Sequence, residues 1–199
     1  MKKEISALTV ICMVLTFCAT SARAGAVSTS TARIDWTSLK ISGNIAWGDK
    51  LSQSHAYAQD STDWDDHGQT ESGWVDTSAS ASVHDTYGNA YTDDDHLYGE
   101  AYATANYAIT TGALADFVYA QRKGHFTADS DGLVTFSVDY KLWQQLLTDY
   151  VGDWASGYSE AELFLVNDDT EGADEDERSL DNEVRDGASI TYLVSNGTL

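Results

Sequence analysis

Residues 133–142 alternate without a break, with Val134, Phe136, Val138, Tyr140 and Leu142 on one side and Thr135, Ser137, Asp139 and Lys141 on the other. Successive side chains of a strand point to opposite faces, so period two marks a strand with one buried and one wet face. The stretch 127–132, T-A-D-S-D-G, is the turn that launches it. Ala101, Ala103, Ala105, Tyr107 and Ile109 alternate with Tyr102, Thr104, Asn106 and Thr110, and Ala161, Leu163 and Leu165 alternate with Glu160, Glu162 and Phe164. Weaker strand candidates are 32–41, 54–58, 78–83, 114–121 and 189–194, with acidic turn clusters at 62–66 and 92–95 between them. Eight or so short strands separated by polar turns predict an all-β fold, an antiparallel β-sandwich of jelly-roll-like form, and argue against βαβ units. Leu142, Leu146 and Tyr150 recur at four, so 140–153 reads as a loop with one helical turn. Inward-facing alanines imply sheets that approach closely. The chain has no proline, which leaves outward Asp and Glu to keep its edge strands from pairing with other molecules.

The N-terminus has a different grammar. Lys2 and Lys3 precede a nearly continuous apolar run over 5–18, and Ala22-Arg23-Ala24 places small residues two apart before Gly25. That order is the one a secretory signal peptide shows, and the apolar run of about 14 residues is short of the roughly 20 that cross a bilayer as a helix. Residues 1–24 are therefore expected to be a signal peptide and 25–199 one sandwich domain. Phe17 before Cys18 argues against lipid anchoring at that cysteine, since such cleavage needs a small residue there. Both cysteines, Cys12 and Cys18, lie inside the expected signal, so the mature chain would carry neither a disulfide nor a Cys-ligated metal.

The whole chain carries a formal charge of −21, and without its first 24 residues it keeps 8 basic and 31 acidic side chains. A field of that sign repels nucleic acid and anionic lipid, so neither is an expected partner. It suits solubility, life in salty water, or the holding of hard divalent cations. Calcium is the expected ion, with Asp168, Asp169, Glu171 and Asp174 of the densest acidic run as first candidates. That run, 167–177, reads as a solvated, mobile loop. Asp63, Asp65 and Asp66 of the earlier turn come second. A helix-loop-helix calcium site is excluded, because the ligand frame around 129–132 would begin at Thr127 and end at Val138. His55 and His67 are spaced like His84 and His96, and Asp65-Asp66-His67 echoes Asp94-Asp95-His96, so a transition-metal site would need His67 and His96 to converge.

Catalysis has little motif support. There is no G-x-S-x-G elbow, no phosphate-cradling glycine loop and no H-E-x-x-H, and so many acids nominate no glycosidase pair. Among six tryptophans, Trp64 stands in an acidic turn and is the one expected at the surface, where it could contact a sugar ring.

The segment 36–41 opening on Trp36, the Ala/Ser/Tyr alternations at 78–82 and 101–108, the passage F-T-A-D-S-D-G-L-V at 126–134 leading to Val138-Asp139-Tyr140, and the strand 159–166 together resemble the ectodomains of PEP-CTERM (exosortase-sorted) secreted bacterial proteins. The resemblance implies a β-sandwich associated with exopolysaccharide or biofilm matrix, without known catalysis, outside a Gram-negative cell: extracellular, on the outer surface or in the periplasm. Such proteins end in a Pro-Glu-Pro signal, an apolar helix and a basic tail. Here the sequence stops at Gly197-Thr198-Leu199, which reads as the start of a strand, so the chain is expected either to lack a final hairpin and tail or to be released. The sequence thus points to a secreted, acidic, non-catalytic surface or matrix protein, polysaccharide-associated and binding calcium weakly. The alternative is a glycan-active enzyme or carbohydrate-binding module on a jelly roll.

Overall fold

A computed structural model describes residues 3–19, 25–106, 112–128, 133–167 and 172–199. Their twelve strands are β1 (Lys3–Ala19), β2 (Gly25–Ser42), β3 (Ile45–Asp60), β4 (Trp64–Ser72), β5 (Thr77–Val83), β6 (Thr86–Thr92), β7 (His96–Asn106), β8 (Gly112–Ala128), β9 (Thr135–Thr148), β10 (Trp154–Asn167), β11 (Gly172–Arg185) and β12 (Ser189–Thr198). They form two six-stranded sheets: sheet A in the order β11-β10-β1-β8-β3-β4, and sheet B in the order β12-β9-β2-β7-β6-β5. Neighbours are antiparallel throughout. The chain passes repeatedly from one sheet to the other, which produces the expected jelly-roll-like β-sandwich. Among the described residues no helix is long and apolar enough to cross a membrane.

The alternations place the core. Val138, Tyr140 and Leu142 of β9, Ala101, Ala103 and Ala105 of β7, and Ala161 and Leu163 of β10 all face inward and are buried. One end of the sandwich is filled by small residues (Ala26, Ala103, Ala105, Ala113, Ala155) around Leu146 and Val184. There the sheets close tightly: a Cβ on Gly157 would lie 2.5 Å from the Ser30 hydroxyl. The other end is aromatic. The Trp74 ring lies 4.6 Å from Trp47 and 5.0 Å from Trp36, edge to face, and Trp47 stands 5.6 Å from Phe126.

Three readings of the sequence are corrected. Residues 140–148 continue β9 as strand, because a recurrence at four is also two periods of two: Leu142, Gln144, Leu146 and Thr148 all point inward. Gln144 disguises the pattern, and it is accommodated by donating to the Leu180 carbonyl (2.7 Å) and accepting from Asn182 (2.7 Å). Of the acidic run 167–177, read as a mobile loop, residues 172–177 belong to β11, an edge strand paired with β10 on one side only, and there Glu175 and Glu177 are exposed. The cluster 62–66 is a turn only as far as Asp63, and Trp64 already begins β4. Apart from these corrections, the apolar N-terminal segment Lys3–Ala19 forms strand β1, seated between β8 and β10.

Candidate ligand-binding face

On the wet side of sheet B, cross-strand register assembles a continuous polar and aromatic surface. Tyr87 lies opposite Tyr102, Asn89 opposite Glu100, and Tyr91 opposite Tyr98. Glu100 and Tyr98 lie beside Thr31 and Arg33 of β2, which in turn lie beside Trp143 and Lys141 of β9. Each of these positions alternates with a buried one, such as Gly88, Ala90, Ala101, Ala32 or Leu142, so the whole set must project outward. The tyrosines stack in pairs, with ring centroids 5.1 Å apart for Tyr87–Tyr102 and 5.0 Å for Tyr91–Tyr98. The Glu100 carboxylate between the pairs accepts from the Tyr87 hydroxyl (3.2 Å) and the Tyr98 hydroxyl (3.3 Å). Burial, reinforced by Glu100, pushes the Tyr87 hydroxyl up to about 12 and raises Tyr98 as well, so both phenols stay protonated donors.

The face continues into a hollow of about 200 Å³ lined by Arg33, Asp35, Asp139, Tyr140, Lys141 and Asn196. Its charges are held in place locally. Asp35 accepts from the Thr37 backbone (3.1 Å) and hydroxyl (2.6 Å), and this bonding, led by the Thr37 hydroxyl, keeps its carboxyl below the usual range. The Arg33 guanidinium bonds to His96 Nε2, and the Asp139 amide donates to the Ser38 hydroxyl (2.6 Å). Two cations, two carboxylates, an amide and neighbouring aromatic rings on one sheet face can hydrogen-bond a polyhydroxylated chain.

The residues singled out from the sequence sit elsewhere. Trp64 is 63% exposed at the edge of sheet A and stacks on Tyr57 (6.5 Å). Asp63 accepts from the Trp64 amide (2.8 Å), Asp65 pairs with His67 (3.1 Å) and caps the Ser82 amide of β5 (2.9 Å), and Asp66 pairs with His55 (2.9 Å). These three carboxylates face different partners and do not converge. Among the described residues no group of three or more His, Cys, Asp or Glu could hold a metal ion. His67 is bound to Asp65 on sheet A, whereas His96 is bound to Arg33 on sheet B. Asp168, Asp169 and Glu171 lie outside the described residues, as does the Asp174 side chain.

A second carboxylate group occupies the wet side of β10. Glu160 and Glu162 are two residues apart on one face, with Tyr158 bonded to Glu160, and Glu177 stands opposite Glu162. Burial, then the charge of Glu160, pushes Glu162 up to about 7, and burial raises Glu160 too. Neither group was legible beforehand, because one acid among 32 acquires neighbours only through strand register. No protein-family model matches the chain, and no curated protein matches it.

Proposed function

We propose that this chain is a secreted, acidic, non-catalytic surface or extracellular-matrix protein of a Gram-negative bacterium that associates with exopolysaccharide, and that it does so through the wet face of sheet B. The observation that supports this reading most is the unbroken surface from the tyrosine pairs around Glu100 to the Arg33–Lys141 hollow. Its row of stacked phenols, carboxylates and cations offers many hydrogen-bonding groups along one sheet face, which suits a long polyhydroxylated polymer. The test is electrophoresis of the protein through gels containing neutral or acidic polysaccharide. The wild type is expected to be retarded, and Tyr98→Ala and Arg33→Ala each to weaken retardation at least fivefold. Unretarded migration of the wild type in every polysaccharide tried would sink the reading.

The competing reading, a glycan-active enzyme, draws on the Glu160–Glu162 pair, two carboxyl groups on one face of β10 of which burial pushes Glu162 up to about 7, the direction an acid catalyst needs. Reducing-sugar release that disappears in Glu162→Gln would favour it. Weak calcium binding belongs to the acidic segment around Asp168–Asp174, and a melting temperature unmoved by millimolar calcium would remove it from the proposal, since a ligand of the native state alone must stabilise that state.

A further inference from the structure

Strand β1 is antiparallel to both its neighbours, in register with β10 from Ala7↔Val166 to Ala19↔Trp154 and with β8 from Lys3↔Ala128 to Ala19↔Gly112. Its inward residues Leu8, Val10, Cys12 and Val14 are fully buried. The opposite sheet is shaped around them: a Cβ on Gly99 would meet Val14 Cγ2 at 3.1 Å and Cys12 Sγ at 3.6 Å. Yet the same residues have the order of a cleavable export signal, so processing before Gly25 would cut β1 from the chain. Its loss would leave β8 and β10 one strand apart, with two rows of unpaired amides and carbonyls facing across an apolar trough. Neither can stay unsatisfied in a sheet interior. Arg122 of β8, which pairs with Val10, sharpens the picture. It is only 2% exposed and lies 5.0 Å from the Trp36 ring, but its Nε and Nη2 have no hydrogen-bond partner among the described residues. A buried guanidinium with free donors is costly.

We propose that residues 25–199 form a strand acceptor: the β8–β10 slot takes an extended apolar segment of another polypeptide, antiparallel to both walls, by main-chain pairing. The favoured occupant carries aliphatic side chains at the Leu8, Cys12 and Val14 positions and a carboxylate at the Val10 position, where a cross-strand neighbour reaches Arg122. This inference rests on the export reading above, and the two are tested separately.

The experiment uses the full chain with a protease site placed within residues 20–24, folded first and then cut, so that β1 is held without a covalent bond. A fluorescent peptide of residues 3–19 is added across a urea series below the unfolding midpoint, and uptake is read by anisotropy. The labelled peptide is expected to replace β1, the peptide with Val14→Glu to bind at least tenfold more weakly, and the peptide with Val10→Glu to bind at least as tightly as the parent. No uptake at any urea concentration, or equal uptake of a scrambled peptide, overturns the acceptor. A Val10→Glu peptide as weak as Val14→Glu overturns the carboxylate preference. The intact mass of exported protein decides the export reading independently: retention of residues 1–24 ends that reading while the peptide result stands.

Discussion

Asp60 shows how one side chain can make a turn depend on pH. Its carboxylate is 1% exposed and accepts from the Thr62 amide and hydroxyl (both 2.7 Å), the Asp63 amide (3.0 Å) and His84 (2.6 Å). Burial alone would raise its pKa, but these donors together, Thr62 foremost, pull it down to about 2. The unfolded value is near 3.9, so the stabilisation, about 2 kcal/mol, is complete above that pH and is lost as pH falls through about 2. Asp60→Asn is expected to destabilise the protein by about this amount at pH 7 and by little at pH 2, as read from urea melts at the two pH values. Phe117 is strained in the opposite sense. It sits at the β8 bulge with φ of 48° and is 59% exposed, so it bears left-handed backbone with little burial in return. Phe117→Gly is expected to stabilise by about 1 kcal/mol. Gly88 is the reverse case, since a Cβ there would stand 2.6 Å from Val118 Cγ2 and 3.3 Å from the Tyr57 carbonyl. Gly88→Ala should cost about 1–3 kcal/mol by overpacking, measured in the same melts.

At the scale of elements, the outer hairpin of sheet A carries its own pH dependence. β11 lays Glu175 and Glu177 beside Glu160 and Glu162 of β10, and burial with mutual repulsion lifts Glu162 to about 7. The folded state therefore holds a proton that the unfolded chain releases near pH 4.3, so this stabilisation is present below that value and is lost as pH rises through about 7. Glu162→Gln should raise stability at pH 8 by about 1 kcal/mol, solvent screening trimming the full effect, and should flatten the pH profile between about 4.5 and 7. Urea titrations across that range check it. The strands around this hairpin differ in how readable they were. Alternation exposed β7, β9 and the inner half of β10, because both faces of those strands obey one rule. β11 and β4 sit at the edges of sheet A, where hydrated carboxylates are tolerated on either side of the strand and no alternation survives.

Across the whole molecule the −21 charge sets a background of self-repulsion that only screening relieves. The melting temperature should therefore climb as NaCl rises from about 10 mM to 0.5 M, while the Debye length shrinks from roughly 30 Å to a few ångströms; a flat response would show the charges to be locally balanced. The class of fold was legible in the residues alone, since period two and polar turns leave no economical alternative to stacked antiparallel sheets. So were the buried residues of the strongest strands and the exposure of Trp64. Which polar residues share a surface was set by strand pairing across the fold. The tyrosine pairs, Glu100, Arg33 and Lys141 come from four strands up to 108 positions apart in the chain, and they meet because hydrogen-bond register fixes which residues stand side by side. The place of the N-terminal apolar run was equally a tertiary matter. Its composition reads as an address, whereas its position between β8 and β10 follows from two strand edges that need a partner, and local sequence carries no record of that demand.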